Sequence, residues 1–592
     1  MSKLSEKLLA SGFPRPVGNS SVLKALHRAP VDSSGEFIRI LNLPRRKLTV
    51  EKDGSVTLES SGKVEKIPDI TPVFACRGGR MKLRPLQTAA LWEAQQNNGG
   101  FFPISVGGGK TLIALLLPEA MNSKRAVLLV KPELRNQLLK RDIPLYRKHF
   151  NLPLNRIFVV AYSELSSAKK AEILERIKPD LVICDEGHKL RIKSSARTRR
   201  FLRYMKKYPT TRLVTLSGSF MRRSLMDYAH LLTLALKDKA PIPNNYKDLE
   251  DWAEAIDITE DPKPPGVLSQ FCTPEENVRE GFQRRLTETP GVVASTDSSI
   301  GTSLLIIERA LEKPSKVESA LKDLYATWQI EEEELTDAMS LMRVARQLCC
   351  GFYYKWDWPG GIKDEEWVRA RRAWHREIRG RLLHTNISGM DSPLLLFNAA
   401  RDGRWKSETF GGWVAVKDRP EPPTIPVWID HYMLKDAIRW GRQQIKNGEG
   451  GIIWYEHHVI GEMIARAGGW NLYGQGADAS LVDKNKEPVI VCSIKAQSEG
   501  KNLQSWSKAL VTSPPASGAA WEQLIGRLHR PGQQADEVEY HVYLHTPEFK
   551  NAFEKALEDA VLIEETQGQR QKLNSSQIIR KLEVNERFDR SY

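Results

Sequence analysis

From about residue 80 the chain alternates short apolar runs, rich in β-formers, with longer stretches patterned as helices. Residues 125–130, 181–184 and 212–216 are the clearest strands, and their alternation with helices predicts a parallel sheet covered by helices. The rhythm breaks between about 310 and 430. That stretch carries charged segments predicted as helices (331–334 and 369–381), a group of tryptophans and the Pro-rich run 419–423. After about 432 the alternation resumes, with strands expected at 451–455, 489–494, 509–513 and 538–544, so a second sheet domain follows. Before residue 75 the one patterned stretch is 47–58, an alternating run whose Asp53-Gly54 invites a tight hairpin turn. It reads as a small accessory domain. The last 20 or so residues are polar enough to fray.

Length and charge sharpen this picture. With 592 residues the chain has room for about three or four domain-sized units. No apolar run approaches the roughly 18 residues of a bilayer span, and the start lacks the apolar segment of a signal peptide, so a cytoplasmic location is expected. The formal net charge is +15 and the pI about 9.3. Such a basic surface points to a polyanionic partner. The six cysteines show no C-x-x-C spacing, and Cys184 and Cys492 fall inside apolar runs, so they read as structural thiols.

Candidate chemistry begins at residues 101–111, which end in Gly107-Gly108-Gly109-Lys110-Thr111 and run into an apolar helical segment. Glycines let backbone amides close around phosphates, and a helix N-terminus favours negative charge. Lys110 is expected on the β- and γ-phosphates of ATP, and Thr111 on Mg2+. The strand 181–184 delivers Asp185-Glu186-Gly187-His188 at its C-terminal end, where a parallel sheet presents ligand-binding residues. Asp185 is placed on Mg2+ and Glu186 on the attacking water.

Far downstream, Gln523-Leu524-Ile525-Gly526-Arg527-Leu528-His529-Arg530 supplies two arginines that a second lobe can aim at a γ-phosphate. Together these motifs resemble helicase superfamily 2, and its Swi/Snf-type DNA translocase branch in particular, over about 80–300 and 432–548. The resemblance implies an α/β fold of two RecA-like parallel-sheet lobes, with a small N-terminal domain and a helical Trp-rich insertion. It puts Gln87, in Leu83-Arg84-Pro85-Leu86-Gln87, on adenine, and it assigns Arg527 and Arg530 to the γ-phosphate, Arg530 as the arginine finger. Ser217, Gly218 and Ser219 resemble the segment linking hydrolysis to lobe movement, with His188 and Gln523 as further coupling residues. Gly500 and Asn502, in a Gly-x-Asn-Leu core, look like the family's nucleic-acid and coupling motif. The sequence departs from the family at Ile104-Ser105, where members usually carry an acidic pair, and the segment from Trp356 to Trp428 matches no module of the family.

The expected divisions are 1–78 (accessory domain), 79–305 (first lobe, ATP-binding), 306–431 (helical linker and Trp-rich insertion) and 432–592 (second lobe). The expected function is an ATP-dependent motor that moves along DNA, duplex favoured, gripping the backbone through Lys131, Pro132, Tyr162, Ser163 and the motif near Asn502. A strand-separating DNA or RNA helicase, a DNA-binding scaffold with a vestigial ATP site and a small-molecule kinase are the competing readings. The compact chain has no recognisable chromatin-reading module, which points to a bacterial cell or a phage-infected one.

Overall fold

The structure, a computed structural model, describes residues 29–51, 55–259, 261–295, 302–331, 333–335, 337–384, 387, 390–474, 487–497 and 502–580. Its first strands form an antiparallel meander of β1 (Lys47–Val50), β2 (Val56–Ser60) and β3 (Lys63–Ile67). Lys47 lies opposite Glu59 and Val50 opposite Val56, so the alternating stretch forms two hairpin arms; the Asp53-Gly54 turn lies outside the described residues. A single sheet must bury its apolar face against another element. Val56 and Ile67 therefore share a core with Ala90 and Leu91 of the helix Pro85–Asn97. Phe37 and Ile40, from the helix Gly35–Leu41, enter the core on the other side of the first sheet, with Trp252 and Phe271. From residue 29 onward, the segment expected to stand apart is part of the first lobe.

That lobe is built on five parallel strands, β4 (Gly100–Pro103), β5 (Ala126–Val130), β6 (Ile157–Ala161), β7 (Leu181–Asp185) and β8 (Arg212–Ser217), in the order β4-β8-β7-β5-β6. Val127, Leu129, Val182 and Cys184 face one core, while Ala126, Leu128, Leu181 and Ile183 face the other. Helices cover both faces, which is why these runs are apolar at every position.

The second sheet takes its first strand, β9 (Ser303–Arg309), from before the insertion. A short hairpin follows, β10 (Gln329–Ile330) with β11 (Glu333–Glu334), and then a stem in which β12 (Phe352–Trp356) pairs antiparallel with β13 (Thr424–Trp428). The chain returns as β14 (Gly451–Tyr455), β15 (Asn471–Tyr473), β16 (Val489–Ser493), β17 (Lys508–Val511), β18 (Glu537–Tyr543) and β19 (Gln577–Ile579). The parallel order is β15-β16-β14-β17-β18-β9-β19. Two RecA-like parallel-sheet lobes are thus present.

Three expectations are corrected. Residues 303–305 do not close the first lobe, nor do 306–349 form a linker: β9 is hydrogen-bonded into the second sheet, and Val317, Leu321, Leu341 and Val344 pack in its core with Ile453 and Val491. Within the run expected as a helix at 331–334, Glu333 and Glu334 are a strand, β11. Left-handed backbone at Trp328 and Glu331 turns the chain into the hairpin, and four adjacent carboxylates have no basic residue at i+4 to support a helix. Within the polar C-terminal stretch, residues 577–579 pair with β9 instead of fraying.

The buried ion pair that ties the meander to the first lobe offers a test. Arg46 Nε donates to Glu93 Oε1 at 2.9 Å, Arg46 Nη2 to Val292 O at 2.6 Å, and Gly291 N to Glu93 Oε2 at 2.6 Å. Glu93→Ala strands the guanidinium in the core and is expected to cost about 3–5 kcal/mol, measured as a lowered urea midpoint; Glu93→Gln, which keeps an acceptor, is expected to cost less.

Candidate nucleotide site and nucleic-acid cleft

The phosphate loop leaves β4 at Pro103 and turns into the helix Lys110–Ala120. Gly107 and Gly109 adopt φ of +92° and +81°, and a side chain at Gly109 would place its Cβ 2.2 Å from Gln87 Nε2. Ile104, where the family pattern differs, is fully buried, and its Cγ2 lies 2.4 Å from where a Cβ on Gly108 would stand. The loop is thus shaped by core packing from below and by glycine geometry above. Gln87 locks it from the side: its Oε1 accepts from Arg84 N at 2.9 Å and its Nε2 donates to Gly109 O at 3.2 Å.

Lys110 is buried, and its Nζ donates to Ile104 O at 3.1 Å and Ser105 O at 3.3 Å. The same nitrogen lies 3.6 Å from Glu186 Oε1. Glu186 follows β7 in a left-handed conformation (φ +58°), uncommon for a residue other than glycine and characteristic of functional sites. Its Oε2 is 3.3 Å from His188 Nδ1 and 3.4 Å from Ser217 Oγ, and those two atoms are 2.9 Å apart. Burial pushes the Glu186 carboxyl up, but Lys110 and His188 outweigh it and hold the group well below the usual carboxylate range. Asp185 moves the other way. Burial and the neighbouring Glu186 charge push its carboxyl up, against a smaller pull from Lys110.

A cleft of about 510 Å3 joins these groups to the second lobe. Gln87, Gly107, Gly109, Lys110, Thr111, Asp185 and Glu186 line it from one side, and Asn502, Arg527 and Arg530 from the other. Gly108 lies behind the loop, lining a neighbouring hollow. Arg527 is buried, with Nε donating to Gln523 O at 2.9 Å and Nη2 to Gln523 Oε1 at 3.1 Å. The lobes meet at the loop itself: a Cβ on Gly526 would stand 2.8 Å from Val106 Cγ1, and one on Gly107 3.3 Å from Pro531 Cδ.

The donor set fits a magnesium nucleotide. Asp185, pushed up first by burial and then by the Glu186 charge, and Thr111, at a helix N-terminus, line the same cleft, where a divalent cation would relieve the carboxylate repulsion, so these are the residues able to hold one.

A second cleft, of about 590 Å3, also spans the lobes. Lys131, Pro132, Tyr162 and Ser163 line it together with His188, Ser219 and Gln523, and the second lobe adds Ser493, Ile494 and Lys495. Its wall carries Lys189, Arg191, Arg197 and Arg222 as further cations. Asn502, grouped from the sequence with the nucleic-acid motif, lies instead in the nucleotide cleft, and Gly500 lies outside the described residues. Gly218 sits between the clefts, where a Cβ would meet Gln523 Nε2 at 3.3 Å and Lys110 Nζ at 3.6 Å.

The sequence reading missed the outer wall of the nucleotide cleft, formed by Leu138, Arg141, Asp142, Leu145 and Tyr146. Residues Leu138–Asp142 form a π-helical turn, a feature concentrated at functional sites but without a sequence motif to announce it.

Residues 80–222 match the family model of the type III restriction enzyme, res subunit. That is a superfamily 2 helicase-like ATPase domain. The match takes in the phosphate loop, Asp185-Glu186 and Ser217 to Ser219, and stops short of the second lobe. It supports a helicase-like, ATP-dependent enzyme acting on nucleic acid, and domains of this class generally use ATP with Mg2+. No curated protein matches the chain. Among the described residues no helix is long and apolar enough to cross a membrane.

Gly109→Ala adds both a left-handed backbone penalty of about 1–2 kcal/mol and a clash with Gln87. We expect nucleotide affinity to fall by about tenfold or more, read by titration with a fluorescent ATP analogue.

Proposed function

We propose that the protein is an ATP-dependent DNA translocase of Swi/Snf type, coupling hydrolysis to movement along duplex DNA. The observation that carries this reading is the convergence of Arg527 and Arg530, from the second lobe, on the cleft that holds Lys110, Thr111, Asp185 and Glu186. Catalysis in such a site needs both lobes, so hydrolysis reports their closure.

In this reading Gln87 meets the adenine and the amides of Gly107, Gly108 and Gly109 surround the phosphates. Lys110 leaves the carbonyls of Ile104 and Ser105 for the β- and γ-phosphates. Its departure also takes a positive charge from Glu186, whose proton affinity rises just when a base is needed to orient and deprotonate the attacking water. Thr111 and Asp185 are the residues that would hold magnesium, which when bound would supply charge neutralisation at the phosphates. Arg527 and Arg530 stabilise the charge that develops on the γ-phosphate, with Arg530 as the finger.

Coupling follows the contacts of Glu186. His188 and Ser217 touch its far oxygen, and His188 also faces the basic cleft, so a change at the γ-phosphate is felt where DNA binds. Gly218, Ser219 and Gln523 lie along the same boundary, and Asn502 meets the nucleotide cleft from the second lobe. The cations of the basic cleft grip phosphates without reading bases, so sequence preference is low.

ATP hydrolysis measured with duplex DNA, single-stranded DNA, RNA or no nucleic acid tests the reading. Stimulation by duplex DNA that fades with salt is expected, without strand separation on a forked duplex. Stimulation by single strands or RNA alone would replace tracking with unwinding, and no stimulation would leave a scaffold. Lys110→Ala and Glu186→Gln are each expected to abolish turnover. Arg530→Ala should retain ATP binding while hydrolysis falls by roughly 10^3-fold or more; equal loss of both would make Arg530 structural.

A further inference from the structure

The insertion helix Glu365–His384 carries Arg369, Arg372, Arg376 and Arg379, all exposed. Their i, i+3, i+7, i+10 spacing lines them along one face over about 15 Å. The opposite face is fixed by aromatic packing: Trp367 and Trp374 are buried, and the Arg371 guanidinium sits 5.2 Å from the centre of the Trp367 ring.

The helix carboxylates are already engaged elsewhere. Glu365 pairs with Lys363 at 3.0 Å and Glu366 with Arg419 at 2.6 Å, while Glu377 accepts from Ser407 Oγ at 2.8 Å and Thr409 N at 3.1 Å. Among the described residues none of the four stripe arginines has a carboxylate within ion-pair distance, although Arg379 acts on the exposed Asp337 at longer range. The stripe is therefore a concentrated positive field facing solvent.

Its position is also fixed. The insertion rises from the second lobe on the β12–β13 stem, yet Asp391 docks onto the first lobe, 2.7 Å from Arg200 Nη2 and 2.7 Å from Arg203 Nη2. Asp391 and Arg200 are buried in the contact, and Arg200 also donates to Leu165 O and Ser167 O. Arg197, one turn back on the same helix (Ala196–Lys207), lines the basic cleft.

We propose that the arginine stripe is a second binding site for the phosphate backbone of duplex DNA, outside the cleft between the lobes and on the insertion that Asp391 docks to the first lobe. This rests on DNA being the track. A DNA duplex offers a regular row of phosphates that a 15 Å line of guanidinium groups can follow. An acidic protein surface is the alternative occupant.

The test is Arg369→Gln/Arg372→Gln/Arg376→Gln/Arg379→Gln in the full chain. Glutamine and arginine have similar helix propensities, so the fold should survive, and unchanged ATPase without DNA checks this. Duplex binding by fluorescence anisotropy over a salt series should show the log–log slope reduced by about 3 to 4. The loss should appear on a duplex of about 30 base pairs and vanish on one of about 10, a single helical turn. An unchanged slope in a protein whose wild type is stimulated by duplex DNA would overturn the proposal and leave the stripe to an acidic partner. Absence of any stimulation in wild type would instead strike the DNA reading itself.

Discussion

The constraint behind the meeting of the two second-lobe arginines with the nucleotide cleft is a helix bolted across the lobe boundary. The helix Pro547–Gln567 starts where β18 ends, yet Leu562 and Ile563 are buried in a core of the first lobe. Arg223 Nε pairs with Asp559 at 2.9 Å, Arg279 Nη1 with Glu565 at 3.2 Å, and Gln283 Nε2 donates to Glu564 O at 2.9 Å. Just beyond the helix, Gln569 Nε2 donates to Gly218 O, and the backbone amide of Lys572 donates to Glu522 Oε2 at 2.8 Å. Apolar burial supplies most of the adhesion, and the ion pairs fix its register. Every distance across the nucleotide cleft inherits this brace.

Within the cleft the organising fact is electrostatic. Two adjacent carboxylates, taken out of water, share one nearby lysine, and they respond in opposite directions. Lys110 and His188 keep Glu186 ionised, while Asp185 is left as the group that a cation would satisfy. Because Ser217 and His188 contact the same Glu186 oxygen, protonation and charge at the acid are tied to the segment that borders the basic cleft. An anion bound on one side and a polyanion on the other would therefore act on one shared cluster.

The tryptophans of the insertion have a structural use. Trp356, Trp358 and Trp367 pack edge to face with ring centres 5.2–6.0 Å apart, and Trp374 packs against Trp405 and Phe410. A small unit with little apolar area gains from such rings, whose burial and mutual geometry stabilise it where aliphatic side chains would leave gaps. With the rings turned inward, the long basic side chains of the same helix are what the insertion presents to its surroundings.

The sequence by itself determined β5, β7 and β8 of the first sheet, β14, β16, β17 and β18 of the second, and the phosphate-loop, Asp185-Glu186 and paired-arginine motifs, because each depends on local rules: runs apolar at every position, glycine geometry, and motifs read within a few residues. It also announced a Trp-rich insertion, which the structure seats within the second lobe, on the β12–β13 stem after β9. What only the tertiary structure decided are matters of long-range contact. Strand β9 reads like any apolar run, and membership of the second sheet is settled by hydrogen bonds to β18 and β19, both more than 200 residues away. The π-helical wall of the cleft, the docking of Asp391 on Arg200 and the seating of Asn502 in the nucleotide cleft arise from packing between segments that no local spacing links. Alternation fixes which face of a strand or helix is buried, but which other element buries it is a question of whole-chain geometry.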